Sequence, residues 1–178
     1  MQQFSSSADE KIALEHEAAK LFMRHYERLH GQEIRHIWHN KPNKPDVSCE
    51  LEGLRLDLEI AHLYGSEAEA MAILKRDLTD KTREALREQA NCSNVHERLL
   101  SALNRILMNK AQKHYKSQRV WLIIRNAHPA WTSEEIIALR DKIHVPEGHP
   151  FEQIWIVADY QAQSGIVQLF PSIHKNYC

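Results

Sequence analysis

The chain has 178 residues, 43% hydrophobic and 26% charged, with 23 Lys and Arg against 24 Asp and Glu and a formal net charge of −1. That length suits one domain with a real hydrophobic core, and the composition excludes fibrous, tail-dominated and globally basic proteins. Three scattered cysteines, Cys49, Cys92 and Cys178, fit no disulfide framework or metal spacing; with no apolar run of eighteen residues and no signal peptide, the expectation is a single cytoplasmic domain over 1–178 without membrane partners.

Ser7 or Asp9 can cap a helix running to about His30, where Gly31 is placed to end it. Its apolar stripe reads as Leu14, Ala18, Leu21, Phe22, His25 and Leu29, with Glu17 on the edge. Glu33 to Trp38 reads as a strand, and the segment 39–45, holding Pro42 and Pro45, as a turn-rich connection. Asp46 to His62 follows as two strands joined at Glu52-Gly53. A helical stretch is expected from Ser66 to about Gln89, then a helix from Val95 to about Tyr115 capped from the 91–94 segment. Leu99, Leu103, Ile106 and Leu107 form its buried stripe, which Lys110 and His114 continue. Arg119 to Ile124 is an apolar, β-forming run and should be a central strand. Thr132 with Glu135 makes a capping box for a helix through Ile143, and Ile154–Ala158 with Ile166–Phe170 reads as a closing hairpin. The order predicts an α/β protein with a central mixed β-sheet flanked by helices.

Charge is unevenly distributed. The segment from Asp46 to Glu59 carries Asp46, Glu50, Glu52, Asp57 and Glu59 against Arg55 alone. Alternation along a strand puts Asp57 and Glu59 on one face, opposite Leu56, Leu58 and Ile60. Basic residues surround this segment, among them Arg105, Lys110, Lys113, Lys116, Lys41 and Lys44. A small acidic cluster in a basic frame suits a divalent cation held on the acids and a polyanion held by the frame. His62, directly after the acidic strand, can contact a phosphate or carry a proton. The twelve histidines lack zinc-motif spacing, and no phosphate loop or nucleophile elbow is present.

Pro45-Asp46, then Asp57-Leu-Glu59-Ile-Ala61 on the next strand, resembles the motif of the restriction-endonuclease-like, or PD-(D/E)XK, nuclease superfamily. The resemblance covers roughly residues 8–126 and implies a restriction-endonuclease-like core of order α-β-β-β-α-β, which the helix and hairpin at 132–171 extend. It further implies a nuclease that uses Mg²⁺ or Mn²⁺ on DNA, with Asp46 as the first metal ligand. Two registers remain for the second acid. With Asp57 there, Glu59 takes the place of the motif lysine; with Glu59 there, Ala61 takes it, as in a poorly characterised branch, and this register is preferred. The carbonyl of Ile60 is then a further ligand.

The lysine is absent in both registers, and Lys110 is the candidate migrated lysine, because a long amine on an apolar stripe can snorkel toward the acids. Glu17 resembles the extra metal ligand contributed by the first helix of the superfamily, with Glu15 as a competing choice. Arg105, Lys113, Lys116, Lys41 and Lys44 would contact nucleic acid. The alternative is a non-catalytic module on the same fold that binds nucleic acid or protein; the sequence leaves room for a homodimer in either case.

Overall fold

Glu52 and Gly53 both adopt positive φ, 51° and 78°, the left-handed pair that a two-residue hairpin turn requires and that glycine accepts without a Cβ penalty. The turn joins β2 (Val47–Leu51) to β3 (Leu54–Leu63) in antiparallel register, with Val47 opposite Leu58 and Leu51 opposite Leu54. The structure, a computed structural model, describes residues 7–40, 45–65 and 94–172. Before the hairpin come α1 (Ser7–His30) and β1 (Ile34–His39); after it come α2 (Val95–Ala111), β4 (Val120–Asn126), α3 (Ser133–Ala138), β5 (Gln153–Val157) and β6 (Ile166–Phe170). The expected helix at 66–89 lies outside the described residues.

The strands form one six-stranded sheet in the order β1-β2-β3-β4-β5-β6. The first three are antiparallel neighbours, β3, β4 and β5 run parallel, and β6 returns antiparallel. The protein is therefore α/β, with a mixed sheet flanked by helices. All seven residues of β4 are buried, as a parallel strand covered on both faces demands. Alternation divides its side chains between two cores. Trp121 and Ile123 join Leu56, Leu58, Phe22 and Tyr26 under α1, while Leu122 and Ile124 join Leu99, Leu103, Leu107 and Ile136 under α2 and α3.

One helix face and two helix ends differ most from expectation. The buried stripe of α1 is Glu15, Ala18, Ala19, Phe22, Met23 and Tyr26, while Leu29 is 62% exposed; the stripe is rotated from the expected one, which had followed the leucines. Helix α2 ends at Ala111, and Tyr115 beyond it turns inward with its ring centroid 5.7 Å from that of Phe151. The capping box of Thr132 and Glu135 forms as expected, but α3 stops at Ala138 and continues as a 3₁₀ turn, Arg140–Lys142. Tertiary bonds tie that turn to its neighbours: Arg140 donates to the Gln168 carbonyl at 2.8 Å, and Asn104 Nδ2 donates to the Lys142 carbonyl at 3.1 Å.

Candidate active site

Strand β3 is ten residues long and its partner β2 only five, so one edge of β3 is left open beyond Leu58. The β2–β3 register, continued by one residue, sets Asp46 opposite Glu59. Asp46 closes the edge with its side chain: the Ile60 backbone N–H donates to Asp46 Oδ2 at 2.9 Å. The N–H and C=O of one residue in an extended strand point to the same edge, so the Ile60 carbonyl also faces this side.

A cleft of about 520 Å³ opens here, walled by the start of α1, the open edge of β3 and the end of α2. Lys110 reaches into it from the last turn of α2 and places its Nζ 3.1 Å from Glu59 Oε1; the two side chains are 18% and 7% exposed. Burial, and after it the neighbouring Asp46 carboxylate, pushes the Glu59 carboxyl above the usual glutamate range against the pull of Lys110. Glu15 enters from α1, 5% exposed, with Lys11 Nζ at 3.6 Å and His39 Nε2 at 3.5 Å. Burial raises its carboxyl as well, partly offset by Lys11. Lys113 stands exposed at the rim.

Several expected site residues stand elsewhere. Glu17 is not at the cleft: its Oε1 takes a bond from Arg125 Nη2 at 3.1 Å. Helical geometry separates Glu15 and Glu17 by about 200°, so only one of them can face the acids. Asp57 shares the face of Glu59, but its carboxylate is fully engaged by Ser48 Oγ, by Ser117 Oγ and by Arg55 Nε at 3.1 Å. It holds the hairpin and the loop before β4 and does not line the cleft. His62 lines the cleft with its ring stacked on Tyr64. Burial, with Arg125 adding to it, pushes its imidazole down to about 4, so it is neutral near pH 7 and brings no positive charge to a phosphate. Arg105 is exposed and lines no described cleft, Lys116 lines a separate hollow, and Lys41 and Lys44 lie outside the described residues.

The sequence reading missed Tyr115. Its hydroxyl is buried beside Glu59 without completing a well-aligned hydrogen bond, and burial followed by the Glu59 charge raises its phenol. Nothing local marked it, because the inward turn after α2 depends on Phe151. Lys11 pairs with Glu15 one helical turn on, a spacing present in the sequence whose bearing on the site depends on Glu15 being buried.

The donor set is made of hard oxygens: two apposed carboxylates and a strand-edge carbonyl. Among the described residues no group of three or more His, Cys, Asp or Glu converges as a complete cage. Mg²⁺ commonly takes one or two protein carboxylates and fills its remaining positions with water and substrate oxygens, so the arrangement fits such an ion without a cage. Among the described residues no helix is long and apolar enough to cross a membrane. Comparison with protein-family models, curated proteins and solved structures returned no match.

Proposed function

We propose that this protein is a divalent-metal-dependent nuclease with a restriction-endonuclease-like core, hydrolysing phosphodiester bonds, with DNA the favoured substrate. The observation that carries the reading is the meeting of Asp46, Glu59 and Lys110 at the open edge of β3, an acid pair and an amine from three separate segments. The register with Glu59 as second acid is supported by the engagement of Asp57 elsewhere. The missing motif lysine is then supplied from α2. Ala61 offers no amine at the motif position, and Lys110 brings one to Glu59 from α2.

Asp46, Glu59 and the Ile60 carbonyl would hold Mg²⁺ or Mn²⁺. When bound, the ion would polarise the phosphate and acidify a water. Lys110 brings a fixed positive charge to the place where negative charge builds on the phosphate oxygens, and burial strengthens its effect. Lys113 at the rim attracts the substrate backbone.

The test is cleavage of plasmid and single-stranded DNA with Mg²⁺ or Mn²⁺, in parallel with Asp46→Ala and Glu59→Ala. Both substitutions are expected to abolish metal-dependent cleavage, and activity unchanged by both would remove the site. A folded protein that bound DNA in a salt-sensitive way yet took up no Mn²⁺ in calorimetry would instead be the non-catalytic module.

Asp57→Asn separates the two registers. Here the expected outcome is a stability loss of about 1.5–3 kcal/mol in urea unfolding, the range for hydrogen bonds to a buried charge, with Mn²⁺ affinity unchanged. A large loss of Mn²⁺ affinity without loss of stability would restore Asp57 as the metal ligand.

A further inference from the structure

We infer that a second hollow, at the end of β3 away from the cleft, is a phosphate-binding subsite for the nucleic-acid strand whose scissile bond lies at Glu59. The inference rests on the nuclease reading for its partner and on separate residues for its site. The hollow holds about 610 Å³ between the start of β3, the segment that leads from α2 into β4, and Glu152 just before β5.

Two arginines line it, and both are braced in the same way. Arg55 Nε binds Asp57 at 3.1 Å, with its guanidinium carbon 5.7 Å from the centroid of the Trp38 ring. Arg119 Nε binds Glu152 at 2.7 Å, with its guanidinium carbon 5.7 Å from the centroid of the Trp121 ring. A carboxylate at Nε and an indole beside the guanidinium orient it; Arg55 Nη2 also donates to Ser48 Oγ at 3.3 Å, and the remaining terminal N–H groups are left for a ligand. The fork geometry of those groups matches phosphate oxygens.

Both carboxylates are held by further donors. Asp57 also accepts from Ser48 and Ser117, and Glu152 also accepts from Trp121 Nε1 at 2.6 Å. They orient the arginines while lining the same hollow, so its cationic character rests on Arg55, Arg119 and Lys116 outnumbering Asp57 and Glu152. Lys116 adds a third cation to the lining and has no ion-pair partner among the described residues. The Ser117 bond to Asp57 anchors the loop that carries it.

The position points to a strand that also enters the cleft. Arg55 and Glu59 lie on the same strand and the same face, four residues apart, about 13 Å at the usual rise. The segment 110–119 borders both hollows, with Lys110 and Lys113 at the cleft and Lys116 and Arg119 at the subsite. A free small anion would need only one of these hollows, whereas a nucleic-acid backbone carries phosphates at both.

The experiment is fluorescence anisotropy of the full chain with labelled single-stranded and duplex oligonucleotides in a metal chelator, over a salt series. The variants are Arg55→Gln, Arg119→Gln and Lys116→Gln, with Lys142→Gln, exposed in the 3₁₀ turn and lining neither hollow, as control. Lys116 is exposed, so its substitution tests binding without a risk to folding. Each of the three is expected to weaken binding several-fold and to lower the slope of log K against log salt by about 1; Lys142→Gln should do neither. Unchanged affinity and slope in Lys116→Gln and Arg55→Gln would overturn the subsite, even if the wild type cleaves DNA. Weakened binding in a protein that neither cleaves nor takes up Mn²⁺ would uphold the subsite and sink the nuclease reading. Titration with inorganic phosphate covers the other source of the same chemistry: phosphate binding lost in these variants, with oligonucleotide affinity untouched, would also overturn the proposal.

Discussion

Lys110→Met is expected to reduce metal-dependent cleavage by on the order of 10²–10⁴-fold, the usual scale for removing a positioned catalytic group, while Mn²⁺ binding is kept or strengthened. The two halves of this result have one cause. The Lys110 ammonium lies 3.1 Å from Glu59 Oε1 and is the counter-charge to the acid pair in the protein by itself. A cation arriving at the same carboxylates meets repulsion from that ammonium, and methionine removes the repulsion while keeping the length of the stem. Loss of a charge needed only at the reacting phosphate would lower kcat with little change in metal affinity. Isothermal titration with Mn²⁺ and single-turnover cleavage read the two quantities separately. If Lys110→Met loses Mn²⁺ affinity and activity together, the amine is holding the site in shape and has no catalytic part.

Trp121→Ala carries the largest expected cost in stability, about 3–5 kcal/mol for a large aromatic removed from a packed core, or a fall of roughly 10 °C in melting temperature for a chain of this size. Trp121 is completely buried, packs edge-on against Phe22 and Tyr26 of α1, and donates its indole N–H to Glu152. Its removal leaves a cavity beneath α1, the helix that brings Glu15 and Lys11 to the cleft. Thermal unfolding followed by near-ultraviolet circular dichroism measures the loss. A decrease below about 1 kcal/mol would mean that the α1 core closes around the gap and that this tryptophan is no keystone.

Much of the fold is written locally. The Glu52-Gly53 turn, the Asn94 cap whose side chain accepts from the Glu97 N–H, the Thr132–Glu135 capping box and the apolar run of β4 each follow from neighbouring residues. The α1 stripe was legible in period but not in phase. Leu29 is a strong hydrophobe left exposed near the helix end, and Glu15 is a buried acid whose place in the stripe is stabilised by Lys11 one turn earlier on the same helix and by His39, which the fold brings to it. Reading the leucines as the buried face therefore turned the helix toward Glu17. The length of α3 likewise depended on partners distant in sequence, Asn104 and Gln168.

The acid pair followed from the sequence because hairpin register is arithmetic: a two-residue turn at 52–53 sets Asp46 opposite Glu59, whatever packs above them. The lysine did not follow from such arithmetic. Lys110 stands 51 residues from Glu59, and its helical phase established only that it lies on the buried side of α2, not which sheet residue it meets. The same arithmetic favours Glu59 over Asp57, which falls opposite Ser48, but it does not show what engages either carboxylate. The tertiary structure separates them through their partners: two serines and an arginine engage Asp57, whereas Glu59 faces Lys110 and Asp46 across an open edge. The sequence by itself determined the local geometry, which depends on backbone preference and spacing. Only the tertiary structure decided which charges meet, because that depends on which distant side chains share a cavity from which water is largely excluded.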